Sequence, residues 1–161
     1  MTEVQKAVLT FRNEIESIES LDIKTFVQNA LNLTKPSFYE DEEVVNHTKK
    51  VFKIVKEFLD TEGTKGALRD LMLVAVLLSD IALNELPENL KHLHPLVAKD
   101  YFKEIQSDLQ KPVIEGIIDI IESHEGSNAP TKALDPRPGQ PGFIIALANK
   151  IARFDFVDVH L

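Results

Sequence analysis

The stretch LMLVAVLLSDIALNEL, residues 71–86, decides how this chain folds. Between Leu71 and Leu78 no side chain is polar, so a helix there turns no face to water and must be enclosed by other elements. Ser79 and Asp80 follow, and apolar residues resume at once with Ile81, Ala82 and Leu83. An ionised carboxylate at the end of a buried helix is unfavourable unless a cation or several donors meet it, since otherwise it takes up a proton. Asp80 therefore needs a partner, and the candidates are an arginine, a helix N-terminus or a metal ion.

Outward from this segment the pattern is helical almost everywhere, and period-two alternation is almost absent. Thr2 caps a helix expected to run to about residue 18, with Val4, Ala7, Val8, Phe11 and Ile15 on one face. Ser20 caps a second over residues 21–31, and residues 34–39 read as a loop. Asp41 opens a long helix to about residue 59, with Val44, His47, Thr48, Val51, Val55 and Phe58 on its inward stripe. The chain breaks over residues 61–66, and the central apolar helix is expected from about residue 65 to 83. Pro95 starts a helix to about residue 107, and Pro112 another to residue 124. Four prolines and three glycines between Glu125 and Gly142 predict a long loop, and a last helix follows from residue 143 to about 159. The expected fold is all-α: a single-domain bundle of about seven helices, in which N-terminal helices (1–40) pack on a helical domain (41–161).

At 161 residues and 43% hydrophobic content the chain can bury one full core. No run approaches the roughly 18 apolar residues that cross a bilayer, and the mixed charge of the N-terminus is not that of a signal peptide. The absence of cysteine excludes disulfides, thiolate metal sites and cysteine nucleophiles together, and fits a reducing, cytoplasmic setting. A net charge of −8 with scattered Lys and Arg disfavours nucleic acid as a partner. A small anion stays open, because a bound metal ion reverses the local potential.

The few histidines stand at telling places. His47 lies on the inward stripe of its helix, with Glu43 one turn earlier on the same face. His94 precedes the helix-starting Pro95, and His124 ends the apolar helix begun at Pro112. Imidazole nitrogens with a carboxylate are the ligand set of Zn, Fe, Mn or Ni, and spacing is unconstrained when each ligand comes from a different helix.

The order His47, Ser79-Asp80, His94-Pro95, Ser-His-Glu-Gly (123–126) and LANKIAR (147–153) resembles the HD-domain superfamily of metal-dependent phosphohydrolases. The resemblance spans residues 41–155 and implies an HD-type all-α fold. It implies a divalent metal ion (Mn, Fe, Ni, Mg or Zn) on His47, Asp80, His94 and His124, with Asn149 as a weak further ligand. It makes Asp80, Glu43 and Glu125 the catalytic carboxylates, Glu43 standing where some members bring another ligand. Lys99, Arg137, Lys150 and Arg153 are the cations near the motif segments and the candidates to hold phosphate. Two departures bear on activity: Ser79 stands where the family has the His of its His-Asp pair, and Asn149 where it has a late Asp. A third, Ala82-Leu83, replaces a common Gly-Lys. The resemblance implies that a water of lowered pKa attacks phosphorus in line while the metal neutralises developing charge. The expected partner is a small phosphorylated molecule, a nucleotide foremost, with no nucleic acid or membrane, and a homodimer is compatible with it. The alternatives are a catalytically degenerate member that binds metal or nucleotide in a regulatory role, and a purely structural helical module.

Overall fold

The computed structural model describes residues 5–102, 105 and 107–154. Its helices are α1 (Lys6–Thr10), α2 (Arg12–Glu16), α3 (Leu21–Asn32), α4 (Pro36–Tyr39), α5 (Glu42–Glu62), α6 (Gly66–Leu78), α7 (His94–Val97), α8 (Lys111–Ser123) and α9 (Pro141–Ala152). Short 3-10 turns fill much of the chain between α6 and α8 and between α8 and α9. No strand occurs among the described residues, so the fold is all-α.

The apolar run takes the central position its composition demands. Every residue from Met72 to Ala82 is buried, and α6 is enclosed by α3, α5, α8 and α9. Around it the apolar faces of the other helices close the core, with Phe26 and Val27 from α3, Val51, Phe52 and Val55 from α5, Ile117 and Ile121 from α8 and Ile145 from α9. Helix starts follow their local chemistry. Ser20 Oγ accepts from the Ile23 N–H, and Asp41 Oδ1 accepts from the N–H groups of Glu43 and Val44. Prolines sit in the first turns of α4, α7, α8 and α9, where no N–H is needed. Gly63, at φ +75°, closes α5 in the left-handed conformation.

Several boundaries differ from the sequence reading. The first helix is two, because the backbone leaves helical geometry at Phe11 (φ −107°, ψ 25°), whose buried ring stacks on Phe38 at 5.6 Å. Thr2 and Val4, assigned to that helix, lie outside the described residues. The expected loop at 34–39 contains α4, begun by Pro36. The inward face of α5 is centred on Thr48, Phe52, Val55 and Leu59, which turns Phe58 out to solvent. The helix expected to reach residue 83 ends at Leu78. There Ser79 Oγ donates to the Ala75 carbonyl at 2.6 Å, in competition with the backbone ladder. The helix from Pro95 lasts one turn and continues as a 3-10 segment, Ala98–Phe102. The last helix starts at Pro141 and ends at Ala152, and the expected extension past residue 154 lies outside the described residues.

A buried ion pair holds the N-terminal segment against α6. Asp70, 1% exposed, accepts from the backbone N–H of Glu19 (3.2 Å) and Ser20 (2.8 Å). Its neighbour Arg69 donates to the Ser17 carbonyl (2.9 Å), to Asp60 (3.0 Å) and to Asp70 (3.4 Å). The turn between α2 and α3 is thus fastened by side chains at the start of the apolar helix.

Candidate metal centre

Asp80, His94, His124 and Glu125 come from three separate places in the chain and meet at one point. Asp80 lies in the buried turn after α6, His94 opens α7, and His124 caps the C-terminus of α8 with Glu125 directly behind it. Asp80 Oδ1 is 3.0 Å from His94 Nε2 and 3.2 Å from His124 Nε2. The two Nε2 atoms are 3.1 Å apart. Glu125 Oε1 completes the group at 3.6 Å from His94 Nε2 and 3.2 Å from His124 Nε2. A tetrahedral ion with bonds of about 2.0–2.1 Å has ligand-to-ligand edges of roughly 3.3–3.4 Å, so these separations suit such an ion closely.

The rings are oriented by hydrogen bonds on their far sides. His94 Nδ1 donates to the Lys91 carbonyl at 2.7 Å and His124 Nδ1 donates to the Ile121 carbonyl at 2.6 Å. A carbonyl only accepts, so each Nδ1 carries a proton and each Nε2 of a neutral ring presents a lone pair to the cluster. Two such lone pairs and two carboxylate oxygens, all within 4.8 Å of one another, repel unless a cation lies among them. This far-side anchoring is how metal-ligating histidines are ordinarily held. The four residues could therefore hold a metal ion.

Without an ion, a proton takes that role. Burial opposes charge on His124, but its hydrogen bonds to Asp80 and Glu125 and their negative charges outweigh burial and push its pKa up to about 10. Burial likewise opposes charge on Asp80, and His124 with His94 holds its carboxyl well below the ordinary value. Glu125, against the same opposition from burial, is brought to about 2 by His124 and Arg153. A histidine raised in the folded state stabilises fully below its unfolded value of 6.5, and that contribution disappears as pH rises through about 10. The carboxylates act the other way, stabilising above their ordinary values and failing as pH falls. Metal-free protein is accordingly expected to lose on the order of a few kcal/mol between pH 6.5 and 10, seen as a falling melting temperature. Zn-loaded protein should show no such fall, because the ion replaces the proton. Parallel pH profiles for the two forms would contradict this.

A cavity of about 200 Å³ opens over the cluster, lined by Glu43, Val44, His47, Asp80, Leu83, His94, Glu125 and Arg153. Arg153 closes one side, donating from one terminal nitrogen to both oxygens of Glu125 at 2.9 Å. Of the other expected phosphate-holding cations, Lys99 lies exposed beside Glu122 at 3.8 Å, and Arg137 and Lys150 are exposed and form no part of this wall. His47 and Asn149 stand beside the four-atom cluster and bond to each other, Nε2 to Oδ1, at 2.6 Å. Asn149 Nδ2 donates to the His124 carbonyl (3.1 Å) and to Glu125 (3.4 Å). Behind them His47, Thr48, Ser79, Asp80, His124 and Asn149 border a second cavity of about 10 Å³, into which Ser79 brings no imidazole.

Glu125 joins the metal-ligating atoms because the helix stops. Consecutive residues of a helix do not share a face, but α8 ends at Ser123 and the backbone turns left-handed at Gly126. Gly126 has φ +59°, and a Cβ there would press on Ala146. The Ser-His-Glu-Gly order contained that signal, in the glycine that follows the carboxylate. No family model, curated protein or solved structure matches the chain.

Proposed function

We propose that this protein is a metal-dependent phosphohydrolase of the HD-domain type, acting on a nucleotide or another small phosphoester. One observation carries the reading: four acceptor atoms from Asp80, His94, His124 and Glu125 converge, buried, beneath an open cavity. When bound, a divalent ion would lower the pKa of a water and neutralise charge gathering on phosphoryl oxygens. The protein's own part is positional. Asp80 and Glu125 supply the negative charge that retains a dication, and the two anchored imidazoles set its geometry. Arg153, in the cavity wall, is placed to meet a phosphoryl oxygen, and Glu43, in the same lining, is placed to exchange a proton with a leaving group.

Protein purified without chelator, stripped and reloaded in turn with Mn, Fe, Ni, Mg and Zn, is expected to hydrolyse nucleoside 5′-monophosphates with at least one of them. His124→Ala and Asp80→Ala should abolish that turnover. Turnover that persists unchanged in both variants would refute the assignment.

A second reading, a regulatory protein that binds metal or nucleotide without turnover, is favoured by one feature. The Ser79 hydroxyl is committed to the Ala75 carbonyl, so nothing replaces the imidazole expected there. Under this reading, native protein carries metal but turns over no phosphoester, and Ser79→His raises its metal affinity.

A further inference from the structure

We propose that His47 stands off the metal and serves as the base that takes the proton of the attacking water, with Asn149 as its positioning residue. The proposal rests on the phosphohydrolase reading above.

The side-chain amide of Asn149 has only one consistent orientation. Its NH₂ faces two acceptors, the His124 carbonyl at 3.1 Å and Glu125 Oε1 at 3.4 Å, and neither can donate to it. Its oxygen therefore faces His47, and an amide oxygen only accepts. A 2.6 Å contact between that oxygen and His47 Nε2 is a hydrogen bond only when Nε2 carries the proton. A protonated ring nitrogen has no lone pair for an ion, so His47 Nε2 is unavailable as a ligand while this bond stands. His94 and His124 are tied by Nδ1–H to backbone carbonyls, so Nε2 is the nitrogen each has to offer an ion, which would displace any proton held there. The three imidazoles near the cavity are thus sorted by their hydrogen bonds into two ligands and one that is not.

In the neutral His47 ring the remaining nitrogen, Nδ1, has the lone pair, and no described residue hydrogen-bonds to it. The ring forms part of the wall of the 200 Å³ cavity together with Asp80, His94 and Glu125. A base held in one tautomer by a third group, beside the place where a water would be activated, is the arrangement in which proton abstraction is most effective. In the step proposed, the water oxygen bonds to phosphorus and its proton passes to His47 Nδ1. The bond from phosphorus to the leaving oxygen breaks with its electron pair, and that oxygen takes up a proton relayed from solvent by Glu43. His47 then returns its proton to solvent.

The test uses the full chain. In Zn-loaded protein, long-range 15N–1H spectra of the imidazoles should show His47 with Nε2 protonated and Nδ1 bare, and His94 and His124 with Nδ1 protonated. His47→Gln should retain the same metal content as wild type. With p-nitrophenyl phosphate and nucleoside 5′-monophosphates as probes, it should lower kcat by about 100-fold or more and change KM by less than about threefold. Asn149→Ala should also keep the metal, lower kcat rather than raise KM, and leave the His47 ring as a mixture of tautomers. A metal-shifted His47 nitrogen, loss of metal in His47→Gln, or kcat within about threefold of wild type would overturn the proposal and leave the hydrolase reading intact. A metal-loaded wild type that hydrolyses none of the probes would overturn both.

Discussion

Asp80→Asn is expected to leave the protein folded but unable to retain a divalent ion. The substitution preserves shape and removes one negative charge from a carboxylate that is 8% exposed and lies 3.0 and 3.2 Å from two imidazole nitrogens. Losing a residue that merely supports a ligand lowers metal affinity by about 10–100-fold, so losing a ligand that also supplies charge should exceed about 100-fold. The amide could place its oxygen toward the ion, but Glu125 would then be the sole carboxylate, and it is shared with Arg153. Metal-free Asp80→Asn is informative as well. Its His124 loses the first of the partners that hold its proton, so the alkaline loss of stability should begin at lower pH than in the wild type. Metal analysis after dialysis checks the first result and pH-dependent melting the second. An Asp80→Asn protein that carries metal as the wild type does would remove Asp80 from the ligand set.

The second large effect concerns the clasp at the other end of α6. Asp70→Ala strips the acceptor from the backbone N–H groups of Glu19 and Ser20 and leaves the Arg69 guanidinium, 6% exposed, without its adjacent carboxylate. Breaking a buried pair by removing one partner costs about 3–5 kcal/mol, and little water can enter here to soften it. In urea the unfolding midpoint should fall sharply with the slope unchanged, since the surface exposed on unfolding is the same. The helix from Asp70 to Leu78 alone spans roughly 12 Å, so the metal centre should keep its ion in this variant. A loss below about 1 kcal/mol would mean that the clasp is incidental to the docking of α1 to α3.

The contrast between these two sites explains how much could be read in advance. The burial of α6 was legible because a run of eight apolar side chains leaves no polar face. Asp80 was legible for the same reason, as a charge with nowhere to go. Asp70 was not, because a charged residue at the start of an apolar helix has the same pattern whether it faces solvent or a neighbouring turn. Only the tertiary approach of residues 17–20 distinguishes the two cases. His94 and His124 could be singled out by their places at helix ends, but their meeting depends on α7 being one turn long and on where α8 stops. Glu125 was visible as an acid and not as part of the cluster, since its direction depends on the end of α8 and the left-handed backbone at Gly126. The pairing of His47 with Asn149, residues far apart in sequence, has no local signature at all.

The most direct measurement of the central claim is the anomalous scattering of zinc in crystals of the metal-loaded protein. The account predicts one strong peak per chain, about 2.0–2.2 Å from Nε2 of His94, Nε2 of His124, an oxygen of Asp80 and an oxygen of Glu125, with the His47–Asn149 hydrogen bond still in place. No peak at this cluster, or a peak held instead by His47 and Asn149, would contradict it.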